Sequence, residues 1–302
     1  MPGKIWHRRF IWLGIGLFAL FTLRLSGMPE GSDAKLVSTR WLAENLTNEN
    51  VRIIDMRLDI RDYWVDHIPG AVYLDSDVLR WPDQGVPSKL LAPEALASLL
   101  GQMGISEKTM VIVYYDKNGY PPLYLIWALD YIGHKSSALL EDGIDRWKTE
   151  GRPLTQDYPA IKPVRYRLPS SLQTEVRATL EDVVADVKAG AVLLDVRPQD
   201  LYTGQKGAWK RKGHIKGAIS HVWAWDVNND GTWKNKEELL AAYQKIGVTP
   251  DKTIIVYCGQ GQMSAHTYFS LKHVLGFPKV KLYDGGFNEW SDRGDLPIES
   301  GM

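Results

Sequence analysis

Short uninterrupted apolar runs alternate along this chain with stretches in which leucines recur at helical spacing. Met110–Tyr114 and Ile254–Tyr257 are continuous apolar runs, the pattern of strands buried on both faces of a parallel sheet. Ile53-Ile54 and Val192-Leu-Leu194 are shorter β-rich runs, each leading into Asp-x-Arg. Pro93–Met103 and Lys236–Ile246 carry leucines on one helix face. Strands alternating with helices predict an α/β fold, a parallel sheet flanked by helices on both faces.

The pattern is written twice. Val51-Arg-Ile-Ile-Asp-Met-Arg57 matches Val192-Leu-Leu-Asp-Val-Arg197, and Asp66-His-Ile-Pro-Gly-Ala71 matches Gly213-His-Ile-Lys-Gly-Ala218. Lys108-Thr-Met-Val-Ile-Val-Tyr-Tyr115 matches Lys252-Thr-Ile-Ile-Val-Tyr-Cys258, and Leu140-Glu-Asp-Gly-Ile-Asp-Arg-Trp147 matches Tyr283-Asp-Gly-Gly-Phe-Asn-Glu-Trp290. The order is kept at offsets of 140 to 147 residues, a period too long for a solenoid. Two tandem domains are expected, residues 36–154 and 177–299. Four of the 16 prolines fall between Pro153 and Pro169, which excludes a helix or central strand there, and residues 155–176 are assigned as a linker.

Residues 1–28 follow another pattern. A basic stretch, Lys4 to Arg9, precedes the 14 uncharged residues Phe10–Leu23, and Arg24 ends the run. This is the order of a secretory signal. The run is shorter than the roughly 20 residues of a spanning helix, yet no A-x-A cleavage site follows it. A signal peptide or an N-terminal membrane anchor is expected. The protein is then exported, periplasmic or anchored to the inner membrane, with its N-terminus contacting membrane or export machinery.

Charge and cysteine content narrow the chemistry. Lys+Arg and Asp+Glu each number 36; without the four basic residues of the first 28, the remainder carries 32 against 36. That balance excludes an electrostatic footprint for nucleic acid. One cysteine, Cys258, excludes an intramolecular disulfide, a CxxC pair and a cysteine-rich zinc site, and no metal or other cofactor is implied.

Cys258 follows a buried strand and opens Gly259-Gln-Gly-Gln-Met-Ser264, after which a helix carries Tyr268, Leu271 and Leu275 on one face. Ligands of open α/β sheets bind at this carboxyl edge. Glycines let successive N–H groups curl around one point, and the helix dipole adds positive potential, so the thiolate is favoured. A phosphatase would need an arginine close behind the cysteine to clamp phosphate, and the first one downstream is Arg293.

Taken together, Asp195-x-Arg197, Leu201-Tyr-Thr-Gly204, Gly213-His-Ile-Lys-Gly-Ala218, Asp230-Gly231, Lys236-Glu-Glu-Leu239, Tyr257-Cys258-Gly-x-Gly261, His266 and Leu282-Tyr-Asp-Gly-Gly-Phe-x-x-Trp290 resemble the tandem-domain rhodaneses, a sulfurtransferase family. The resemblance spans most of residues 36–298. It implies two rhodanese-like domains, an inactive first and a catalytic second. The position equivalent to Cys258 in copy one is Tyr115 or Asp116. The implied reaction is transfer of sulfane sulfur, through a Cys258 persulfide, from thiosulfate or 3-mercaptopyruvate to cyanide or a thiol, by a monomer.

The resemblance also implies an anion-binding loop made by Gly259, Gln260, Gly261, Gln262, Met263 and Ser264. It is poor in cations: family members carry arginine at the Gly259 or Met263 position, and the mercaptopyruvate branch carries it at the Leu201 position. Arg211 stands near a substrate-contacting arginine of the family. Arg197 is a further candidate, although Arg57 in the inactive copy favours a structural tie. His214 has a counterpart in His67 and reads as a turn histidine, while His266 could hydrogen-bond the loop. A non-enzymatic sulfur carrier or anion- and partner-binding protein is the alternative from another class.

Overall fold

The computed structural model describes residues 35–116 and 119–301. The expected signal or anchor, residues 1–28, lies outside these. Among the described residues no helix is long and apolar enough to cross a membrane.

Copy one runs β1 (Leu36–Val37), α1 (Thr39–Glu44), β2 (Val51–Asp55), α2 (Ile60–Val65), β3 (Ala71–Tyr73), the hairpin β4 (Arg80–Asp83) and β5 (Val86–Leu90), α3 (Pro93–Gln102), β6 (Met110–Tyr114), α4 (Pro121–Tyr131), β7 (Ser137–Leu140) and α5 (Gly143–Thr149). Copy two runs β8 (Arg177–Ala178), α6 (Leu180–Lys188), β9 (Val192–Asp195), α7 (Gln199–Tyr202), β10 (His214–Ile215), β11 (Ile219–Ser220), α8 (Lys236–Lys245), β12 (Ile254–Tyr257), α9 (Gln262–Phe269), β13 (Val280–Tyr283), α10 (Gly286–Asp292) and β14 (Ile298–Glu299).

Each copy builds a parallel five-stranded sheet. The orders β1-β7-β6-β2-β3 and β8-β13-β12-β9-β11 are the same order in the two copies. Registers agree as well: Asp55 lies opposite Tyr114 in one and Asp195 opposite Tyr257 in the other. This settles the open equivalence, since the residue after Tyr257 is Cys258 and the residue after Tyr114 is Tyr115. Thr179 opens α6 with a capping box, and Asn235 caps α8 by accepting from Glu238 N–H.

Alternation along the strands sorts the apolar residues onto two faces. Ile54, Val111 and Val113 of copy one and Leu194, Val256 and Cys258 of copy two turn into one core shared by both domains. Ile112 and Tyr114 face a separate outer core, as do Leu193, Ile255 and Tyr257 in copy two. The shared core is built around α4 and α9. In α4 every residue except Asp130 is buried, so a helix apolar on all sides sits where both its faces are covered. Residues 156–173 carry no helix or strand. They lie along copy one through Val164 N–H to Gly101 O (2.9 Å) and a 3.0 Å contact between His134 Nδ1 and the Tyr166 hydroxyl.

Candidate active site

Cys258 sits at the carboxyl end of the central strand β12, flanked by β9 and β13, and is only 3% exposed. Gly261 N–H donates to its Sγ at 3.1 Å, and Ser264 Oγ stands 3.4 Å from Sγ and 2.9 Å from Gly261 O. Gly261 has φ +92°, and a Cβ there would lie 2.9 Å from the Tyr124 ring, so only glycine lets the chain turn back onto the sulfur. From outside, α10 clamps the loop: Phe287 N–H donates to Cys258 O (2.8 Å) and Asn288 N–H to Gly259 O (3.2 Å). A Cβ on Gly286 (φ +56°) would meet Cys258 O at 2.5 Å.

The other wall comes from copy one. After β3 a 3-10 turn, Ser76–Leu79, places Ser76 Oγ 2.9 Å from Gln262 Nε2. Arg80, opening the hairpin, donates from Nη1 to Gln260 Oε1 at 2.5 Å and from Nη2 to Asp77. Its Nε is buried without a hydrogen-bond partner. Tyr120 caps the start of α4 and packs edge-on against Trp223 at 5.2 Å. Burial and the nearby Cys258 charge both push the Tyr120 phenol up. The cation missing from the loop's own sequence is thus supplied across the domain seam.

The remaining candidates fall into place differently. Arg197 is buried on the opposite face of the strand edge from Cys258. It donates to Asp195 and to Gly213 O (2.7 Å), with its guanidinium carbon 4.0 Å from the Phe287 ring centroid. Arg57 repeats the tie with Asp55 and Asp66 O. Arg197 therefore holds its loop down, as its position in the repeat suggested. Arg211 donates to Arg293 O and Leu296 O, both at 2.5 Å, just past the end of α10, where free carbonyls and the helix dipole attract a guanidinium. These contacts are with the C-terminal segment and not with the loop. Met263 lies partly buried against the shared core, and Gln260 is exposed at the rim.

His214 stacks on Tyr202 at 3.7 Å, as His67 stacks on Tyr63 at 3.9 Å, in keeping with turn histidines. His266 does not bond the loop. It is fully enclosed, stacked on Trp233 at 5.0 Å, and its Nδ1 stands 4.0 Å from Asp226 without a hydrogen-bond partner. Burial pushes its pKa down to about 4, so it is neutral. Trp209 lines the loop: a Cβ on Gly259 would lie 3.0 Å from its ring, and its indole donates to Asn288.

A thiol at the carboxyl edge of a doubly covered parallel sheet, met by the Gly261 N–H and the Ser264 hydroxyl at a helix start, defines a rhodanese-type loop. The family model for the rhodanese-like domain matches residues 38–150 and 174–293, and the chain belongs to that family. It is 40% identical over 88% of its length to the sulfur carrier protein TtuD of Thermus thermophilus, covering 96% of that protein. It is 33% identical to a Synechococcus elongatus protein named "Putative thiosulfate sulfurtransferase", covering 88% of this chain and 85% of that protein. Among solved structures, the 3-mercaptopyruvate sulfurtransferase SseA of Escherichia coli superposes with a TM-score of 0.74 at 29% identity, covering 84% of this chain and 98% of SseA.

Sequence reasoning missed Arg80, Ser76, Tyr120 and Tyr124, all from the copy without the thiol. No local motif marks them. The one signal was the duplication itself, which brings the two loops to a common seam.

Proposed function

We propose that this protein is a sulfurtransferase that moves sulfane sulfur from thiosulfate, or from 3-mercaptopyruvate, to cyanide or a thiol through a Cys258 persulfide. The observation that carries this is Cys258 Sγ held by Gly261 N–H in a loop whose rim is met by Arg80. The thiolate attacks the outer sulfur of thiosulfate. A new S–S bond forms, the bond to the sulfonate sulfur breaks, and its electron pair leaves with sulfite. Cyanide then attacks the outer persulfide sulfur, giving thiocyanate and returning the thiolate. Loop N–H groups and the Arg80 guanidinium stabilise the negative charge on both species. Steady-state thiocyanate formation by the wild type, lost in Cys258→Ser with the circular dichroism spectrum kept, tests this; turnover in that variant overturns it.

A second reading is favoured by the similarity to TtuD and by the depth of Cys258: a carrier that takes one sulfur and passes it to a protein partner without multiple turnover. Persulfide formation without turnover on cyanide or small thiols selects it. The basic-then-apolar N-terminus supports export, periplasmic or anchored at the inner membrane. Cell fractionation tests that, and a cytosolic full-length chain contradicts it.

A further inference from the structure

Buried donors without acceptors border the loop on both sides: Arg197 Nη1 from copy two, and two from copy one. Tyr124, on α4, is 0% exposed, and its ring packs on Gly261, whose N–H donates to Cys258 Sγ. Its hydroxyl has no hydrogen-bond partner, and neither has Arg80 Nε. A buried orphan donor costs about 1–3 kcal/mol, and native structures satisfy nearly all of them. The charges that bear on the Tyr124 phenol are those of Asp284, Arg80, Arg177 and Cys258. Asp284 is the one carboxylate among them, and it is engaged: it accepts from Arg177 at 3.1 and 3.0 Å and from Leu90 N–H at 3.0 Å. The remaining neighbours are two cations and the thiol. A neutral O–H donor and a guanidinium N–H, both enclosed, select an anionic oxygen.

We infer that Tyr124 and Arg80 form an oxyanion slot, contributed entirely by copy one, that receives an oxygen of the sulfur donor while Cys258 takes its sulfur. The inference rests on the sulfurtransferase reading and adds the part of the donor that is recognised. The shared chemistry is an oxyanion next to a sulfane or thiol sulfur: the sulfonate of thiosulfate or the carboxylate of 3-mercaptopyruvate.

The test uses the full chain, and its first stage needs no sulfur donor. Cys258 is alkylated with iodoacetate, an anion, and with iodoacetamide, its neutral near-isostere. Tyr124→Phe removes only the hydroxyl; Arg80→Gln removes the charge. Tyr124→Phe should slow iodoacetate by about tenfold, as expected for a lost hydrogen bond to a charged group, with iodoacetamide within about twofold of wild type; Arg80→Gln should slow iodoacetate by a larger factor than iodoacetamide. Thiosulfate and 3-mercaptopyruvate are then compared as donors to Tyr124→Phe. A rise in KM for thiosulfate alone assigns the sulfonate, for mercaptopyruvate alone the carboxylate, and for both the common oxyanion; each supports the slot. Equal effects on the two alkylating agents, or none in Tyr124→Phe, overturn it, the hydroxyl then holding only water. A lost anion preference with no persulfide from either donor keeps the slot and removes the sulfurtransferase reading.

Discussion

The two copies share a frame in detail and differ at the point of chemistry. In copy one Tyr114 donates to Asp55 at 2.6 Å and accepts from Ile68 N–H; in copy two Tyr257 donates to Asp195 at 2.8 Å and accepts from Ile215 N–H. Asp-x-Arg folds onto itself in both. Ile144 N–H meets Tyr115 O as Phe287 N–H meets Cys258 O. These groups occur with and without a thiol, so they are scaffold. The copies also exchange walls: copy one sends Arg80 to the Cys258 loop, whereas copy two sends Trp223 to Tyr120 at the Tyr115 loop. The Cys258 loop receives a cation, and Tyr120 receives an indole. The comparison teaches that the loop carrying the thiol is completed by side chains from the copy that has none.

The largest effect expected is at the thiol. Cys258→Ser should lower thiocyanate formation at least about a thousandfold. Placing a cysteine in copy one on that background, Tyr115→Cys, should restore no measurable transfer, because the side chain that copy two packs on Tyr120 there is the indole of Trp223 and not a guanidinium. Regained turnover would break the comparison. Arg80→Gln should lower kcat/KM for thiosulfate by about ten- to a hundredfold, as for a hydrogen bond made by a charged group, with thermal unfolding little changed.

A third difference is electrostatic. The buried residues of α9 include the titratable imidazole of His266, whereas those of α4 include no histidine. The folded-state value of about 4 lies below the ordinary 6.5. The unfolded chain therefore binds more protons between those limits. Stability from this group is complete above about pH 6.5 and falls on the order of 3 kcal/mol as pH drops toward 4. His266→Phe should flatten that part of the curve of urea midpoint against pH. An unchanged slope would show that His266 does not titrate there. The smallest effect is at Met263, partly buried against the shared core. Met263→Arg should raise kcat/KM for thiosulfate about two- to fivefold, the modest gain of a partly solvated charge.

The sheets, the central strands and the loop helix were legible because burial on both faces writes continuous apolar runs, and because duplication doubled every signal. The structural reading of Arg197 was legible for the same reason, since Arg57 repeats it where no chemistry occurs. The contacts of Arg211 with Arg293 O and Leu296 O were not legible, because family position says nothing of which carbonyls a long guanidinium finds. Arg80 and Tyr124 were illegible: they act across a seam between residues about 180 positions and 130 positions apart from the loop they serve, and no local pattern encodes such a contact. His266 was read as a possible hydrogen-bond partner of the loop because its helix follows the loop directly, but its enclosure by Trp223 and Trp233 is a tertiary fact.

The most direct test is intact-mass spectrometry of the reduced protein after separate incubation with thiosulfate and with 3-mercaptopyruvate, beside Cys258→Ser. One added sulfur on the wild type and none on the variant is the predicted result, the faster donor naming the substrate. No added sulfur from either donor, with the thiol shown to be free, contradicts sulfur transfer through Cys258.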